Sequence, residues 1–360
     1  MTPPPRYHFL DGLRGRGAFF VVLYHVFANG FPPTPGAAEF LPKLIMFNGP
    51  LAVCIFFVVS GFALSVGYLS RGNVESLVKS GLGRYFRLAL PIFASCSVVH
   101  IAAVTGLLQA PESRLPPWGT IVAFEPTVWH LVSFALFDVF FNFDLKQTYI
   151  GPLWTMQIEL MGSYAVLALV IVVGKLKSRN LILWLCGALL FLPISYLSLF
   201  AFGAAFADSF IKGGVERFEK ALPLVAHLIL ATGVLALLVI PATQTVECLC
   251  ALLITFGAIS VKSVRDFLSN KLSVHLGLLS FPLYLLHGAV MLIVGAPLMQ
   301  HYGHSLTTKI AVDCVMVVLS FTAAYAFLPV NDLAMNASRR IADFLFSLLF
   351  GKLNKHLSKN

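Results

Sequence analysis

Apolar runs recur from one end of the chain to the other, separated by short polar breaks. An α-helix needs roughly 17–25 mostly apolar residues to cross the hydrocarbon core of a bilayer. On that measure the chain carries ten spans, at 15–31, 48–69, 88–108, 150–174, 180–193, 195–211, 221–241, 246–261, 275–298 and 309–330. The expected fold class is therefore all-α integral membrane, a single bundle of about ten transmembrane helices. The pattern divides the chain into a transmembrane domain over 1–335 and a tail over 336–360. In that tail apolar and basic positions alternate at helical spacing, as in an amphipathic helix lying on an anionic membrane surface.

The breaks are informative too. FPPTPGAAEFLPK, residues 31–43, reads as an external loop because proline and glycine stop helix continuation. The longest connection, 109–149, contains PESRLPPWGT followed by WHLVSFALFDVFF. The second piece is apolar but short and carries Asp138, which predicts a re-entrant or interfacial helix. Pro193 divides 180–211 into a tight pair of spans, one long kinked segment being the alternative. Residues 1–30 resemble a signal peptide in their basic start, but His25 breaks the apolar core and no A-x-A site follows, so a retained first helix is expected.

Composition agrees: 58% of residues are hydrophobic and 11% charged, against about 25% charged in soluble domains. The net charge of +9 changes the picture only through its distribution. With the N-terminus inside, only Lys43, Arg114, Lys146 and Lys309 fall outside, leaving 21 of the 25 Lys and Arg on the cytoplasmic side. The positive-inside rule selects this orientation, with both termini cytoplasmic and no nucleic-acid partner implied. None of the six cysteines forms a C-x-x-C pair, so they read as packing residues, and no metal site is predicted.

Ionisable groups inside spans are costly and therefore informative. Arg14 and His25 stand eleven residues apart, three helical turns plus about 20°, which places them on one face about 16 Å apart along the axis. Taken alone, His25 is equally compatible with a structural bond to a neighbouring helix and with acid–base chemistry. Glu159, in GPLWTMQIELMGSY, is either a solvated charge near the outer surface or the acid partner of an imidazole. Arg84 and Arg87 share a face if RYFRLALP is helical, as a positive-inside anchor or a fork for phosphates. Asp11, three residues before Arg14, is placed to pair with it. His287, in LSFPLYLLHGAV, is assigned to the cytoplasmic half of the ninth span. Arg16 has no account beyond anchoring.

Together these segments resemble the acyltransferase-3 family of membrane acyltransferases. FLDGLRGRGAFFVVLYHV is similar to its opening signature, with the Arg, ten residues, His spacing met by Arg14 and His25. FFVVSGFALS, GRYFRLALP, PLWTMQIEL and LGLLSFPLYLLH resemble its later signatures, in family order over about 9–290. Arg16 stands where members commonly have an apolar residue, Leu160 where many have a second Glu, and Asp332 only loosely matches a late acidic motif.

The resemblance implies a multi-pass O-acyltransferase of a bacterial cytoplasmic membrane, with no permanently bound cofactor. Acetyl-CoA or another acyl-CoA is its co-substrate, and the acceptor is a saccharide or glycan. Acyl-CoA phosphates would meet Arg84, Arg87 and Arg14. His25 would serve as general base, Glu159 would orient its ring or stabilise its charge, and Arg14 with Asp11 would hold the channel's inner end. The contrasting class is a proton-coupled transporter or flippase using His25 and Glu159 as a proton path, although no inverted repeat is visible.

Overall fold

The computed structural model describes residues 7–31, 34–110, 118–192 and 194–357, with side chains through Phe350 but not that of Trp118. Arg6, Arg114, Pro193, Lys359 and the proline-rich stretch 111–117 lie outside the described residues, as do the side chains of Lys352 and Lys355. Among the described residues the regular structure is helical throughout.

Helix α1 (His8–Leu23) continues without a break into a π-helical turn, Tyr24–Gly30. Asn48 starts α2 (Gly49–Arg71), its Oδ1 accepting from the Leu51 amide at 2.8 Å, and Asn73 starts α3 (Val74–Val104) in the same way at 2.9 Å. Each cap satisfies one of the amides that the first helical turn leaves without a partner. The apolar stretch of the long connection forms α4 (Val128–Phe141), too short to span. Its inner face packs on the core through Phe134, Val139 and Phe140, and Tyr85 of α3 donates to its Leu136 carbonyl. This is the irregular element expected there.

Next come α5 (Gly151–Val173), the antiparallel neighbours α6 (Arg179–Phe191) and α7 (Ser195–Ile211), then α8 (Pro223–Val239) and α9 (Gln244–Ser260). Trp184 of α6 lies 5.6 Å from Phe202 and 5.3 Å from Phe206 of α7, so 180–211 is a helical hairpin rather than one kinked segment. Helix α10 (Lys271–Val290) ends in a π-helical turn, Met291–Gly295, a form that Phe134–Asp138 within α4 also takes, and α11 (Leu306–Leu357) is the last helix described.

Five helices are long and apolar enough to cross a membrane, or up to seven when each of two bent pairs counts as one span. That is fewer than the ten expected, because α6 and α7 have 13 and 17 residues and the charges at the start of α1 dilute its hydropathy. Helix α11 runs unbroken through Pro329 and past 335, and its 338–346 stretch packs on the start of α3. There Lys79 bridges Glu75 and Asp343 at 2.9 Å each and lies over the Phe346 ring, while Gly83 faces Ala342.

Two apolar clusters build the interior, one around α1, α3, α4, α10 and α11, the other around α2, α5, α7 and α9. Helices α1 and α10 meet at glycine. A Cβ on Gly15 would lie within 3.0 Å of Leu276 and the Gly277 backbone. Small residues let helix backbones approach this closely inside a membrane. Arg16 fastens the same contact, donating from Nε and Nη2 to Ser273 Oγ at 3.2 and 3.0 Å with its guanidinium 4.0 Å over Phe267. The residue without a sequence rationale is thus the clamp between α1 and α10.

Candidate active site

From the Gly15–Gly277 contact, ten residues along α1 lead to His25 and ten along α10 lead to His287. Equal advances along two neighbouring helices bring the side chains to one level. The rings are 5.0 Å apart between centroids, with His287 Nε2 3.3 Å from His25 Nδ1. His287 is therefore level with His25 rather than in a separate cytoplasmic half. It is fully buried, and a π-helical turn begins beside each histidine. Such turns are rare and frequent at functional sites.

The hydrogen bonds fix the protons. Val21 O lies 2.9 Å from His25 Nδ1, and Leu283 O lies 3.1 Å from His287 Nδ1. A carbonyl only accepts, so each Nδ1 carries hydrogen in the neutral ring. His287 Nε2 is then a lone pair facing the His25 Nδ1–H, and His25 Nε2 is left as a lone pair of its own. One turn before His287, Tyr284 OH donates to Pro152 O at 2.6 Å and accepts from Thr155 Oγ1 at 2.7 Å, tying α10 to the start of α5.

Glu159 has other partners. Its Oε1 pairs with Arg84 Nη2 and accepts from Ser60 Oγ at 2.7 Å. Arg84 Nε donates to Ser163 Oγ at 2.9 Å, and Arg14 Nη2 is 3.5 Å from Ser60 Oγ. One buried carboxylate thus joins α1, α2, α3 and α5. This corrects two expectations: Glu159 is neither a solvated surface charge nor the group that orients His25, and Arg84 is turned inward instead of forming a free fork with Arg87. Ser60 and Ser163, which carry no signal of their own in the sequence, complete the network. The i,i+4 spacing of Glu159 and Ser163 was the signal available for one of them.

Arg87 lies within electrostatic range of Arg84, Arg14, Arg339 and Glu159, and Asp11 within range of Arg14. The cations outnumber the carboxylates, so this end of the site favours an anion. Arg14 and His25 are partly buried, and Arg87 is exposed at the end of the cluster. The arrangement can hold a polyanion at one end and present an imidazole lone pair farther along α1.

The sequence profile of the acyltransferase-3 family, described as an acyltransferase domain, matches residues 7–328. The O-acetyltransferase PaAT-1 of Phomopsis amygdali is 26% identical over an alignment that covers 47% of this chain and 41% of that protein. The chain thus spans less than half the length of this curated relative. No solved structure matches the chain. With the profile match running from the start of α1 well into α11, across every helix that contributes to the histidine pair and the arginine cluster, the chain belongs to the acyltransferase-3 family of membrane acyltransferases.

Proposed function

We propose that this protein is a membrane O-acyltransferase that moves an acyl group, acetyl first among them, from cytoplasmic acyl-CoA to a hydroxyl of a saccharide or glycan acceptor. The observation that carries the reading is the His25–His287 pair, which leaves His25 Nε2 as an unshared base in an otherwise apolar core. The family match and the O-acetyltransferase relative support the reaction class.

In this reading the phosphates of the donor meet Arg87, Arg339 and Arg14, and the thin pantetheine arm runs along α1 towards His25. Arginine suits phosphate because its planar fork donates two hydrogen bonds at once. His25 Nε2 takes the proton of the acceptor hydroxyl as its oxygen attacks the thioester carbonyl carbon. The C–S bond then breaks, and the leaving thiolate takes that proton back from the imidazolium to become the free thiol of CoA. During the interval His25 Nδ1–H is held by Val21 O and His287 Nε2, so the ring cannot rotate away. A positioned base of this kind contributes about 10²–10⁴-fold. Glu159 balances Arg84 and Arg14 and keeps α5 against α3, a structural part of the donor site. The bacterial cytoplasmic membrane belongs to the same proposal, with the arginine end facing the acyl-CoA pool.

The test uses the full chain in sealed phosphatidylcholine proteoliposomes with radiolabelled acetyl-CoA and methyl β-glucopyranoside as acceptor, following thiol release, labelled product and label in the lumen. Wild type is expected to release CoA and label an acceptor, and His25→Ala to lose both while inserting normally. Normal acetylation by His25→Ala overturns the assignment of the base. Transport of label without any acyl product supports the transporter reading instead.

A further inference from the structure

A recess of about 390 Å³ opens between α5, the α6–α7 connection and the starts of α7 and α9. Ser195, Tyr196, Gln244 and Thr245 supply its polar lining. Glu247 lies one turn after Gln244 on the same face of α9. It is 9% exposed, has no hydrogen-bond or ion-pair partner among the described residues, and its oxygens are not sealed from solvent. A largely buried carboxylate without a partner is costly unless water or a ligand meets it.

Its surroundings point to a ligand. Glu247 is within electrostatic range of Tyr196, which lines the recess, and of Tyr24. The Tyr24 ring lies 5.1 Å from that of His25, and Trp154 lies 5.9 Å from Tyr196. Glu247 is thus near both a residue of the recess, Tyr196, and the Tyr24 that precedes His25. A carboxylate only accepts hydrogen bonds, so it suits a group of hydroxyl donors, and aromatic faces suit the apolar C–H edges of a ring-shaped polyol.

We propose that this recess is the acceptor subsite and that Glu247 sets its specificity, taking hydroxyl donors from a neutral polyhydroxylated acceptor and rejecting one that carries its own negative charge. The inference rests on the acyl-transfer reading with His25 as base. The site then sorts its two substrates by charge: the polyanionic donor is attracted to the arginine cluster, and the recess repels anions. Glu247 is a positioning residue in this scheme, since it meets the acceptor away from the reacting oxygen.

The test measures equilibrium binding, by saturation-transfer NMR at pH 8, of methyl β-glucopyranoside and methyl β-glucuronopyranoside to the full chain in phosphatidylcholine nanodiscs. His25→Ala serves as the background, so no turnover intrudes and the result is independent of the catalytic reading. The neutral glycoside is expected to bind at least tenfold more tightly than the uronate. Glu247→Gln, which keeps the volume, is expected to weaken neutral binding several-fold and to bring the two ligands within about threefold of each other. Glu39→Gln, on an exposed loop helix, serves as the control. Absence of saturable neutral binding, equal binding of both ligands to the Glu247 form, or unchanged discrimination in Glu247→Gln overturns the proposal. Retained transfer in His25→Ala would instead overturn the reading beneath it.

Discussion

Breaking the Arg84–Glu159 pair separates a structural carboxylate from a catalytic one. Both residues are 8% exposed, and through Ser60, Ser163 and Arg14 the pair is tied across four helices. Removing one partner of a buried pair leaves an uncompensated charge and costs about 3–5 kcal/mol, whereas replacing both with apolar residues is often close to neutral. Glu159→Ala should therefore destabilise by about 3–5 kcal/mol. Glu159→Gln, which keeps an acceptor for Arg84, should cost less, about 1.5–3 kcal/mol.

The double variant Arg84→Met with Glu159→Leu should lie nearer to wild type than Glu159→Ala does. It will not reach wild type, because Arg14 also loses its counter-charge. A full cycle with both single apolar variants should give a coupling energy of about 2–3 kcal/mol, at the high end for contacting residues. A thiol-reactive dye suits the assay, since Cys54, Cys96, Cys248 and Cys250 are free and buried and become reactive only on unfolding. Midpoints should shift by several degrees, given about 2–4 °C per kcal/mol in domains of 150–250 residues and less in longer chains. An additive cycle, or a Glu159→Ala protein as stable as wild type, would refute the reasoning. So would a Glu159→Gln enzyme whose pH–rate profile moves, because Glu159 would then act on His25 itself.

Two further outcomes follow from the α1–α10 contact. His287→Gln should lower kcat at least tenfold, short of the about 10²–10⁴-fold carried by the base, with KM for acyl-CoA unchanged; a change confined to KM would show that His287 serves donor binding instead. Gly15→Val should force α1 from α10, costing about 1–3 kcal/mol by overpacking and most of the transfer rate ten residues away, while Gly36→Val, where a Cβ meets nothing within 4 Å, should leave the thermal midpoint in place.

Sequence patterning located much of the fold because a membrane imposes one length on every crossing. Five of the expected spans fall on helices that pass that test, Gly49–Arg71, Val74–Val104, Gly151–Val173, Lys271–Tyr302 and Leu306–Phe350, though α3 and α10 start earlier than their apolar runs. Both over-run because hydropathy sees where lipid begins, while the helix is propagated by caps such as Asn73 and Asn270 outside it. The continuation of α11 past 335 was illegible for a related reason, since the Lys79–Asp343 bridge that holds it to α3 joins residues far apart in the chain.

The site was legible in parts and not in its pairings. His25 stood out because an imidazole inside an apolar run needs a reason. Its partner could not be named, because the level of His287 depends on which residues of α1 and α10 touch, and contacts between residues far apart in the chain, Gly15 against Gly277 and Arg16 on Ser273, set that register. Arg84 and Glu159 were each recognised from local context and given separate tasks. In three dimensions each is the other's nearest opposite charge, and the pairing consumes both.

That pairing also decides how the histidines work. Had Glu159 stood against His25 as the acid of a triad does, Arg84 and Arg14 would have lost the carboxylate that balances them in the interior. With Glu159 kept among the arginines, the His25 proton is directed by neutral acceptors alone, Val21 O and the Nε2 of His287, and both are rigid because they belong to helices clamped by Arg16 on Ser273. In the proposed mechanism the His25 ring is thereby positioned through helix register rather than charge. A small residue at position 15 and a long cation at 16 would accordingly matter to that chemistry through the ring they align.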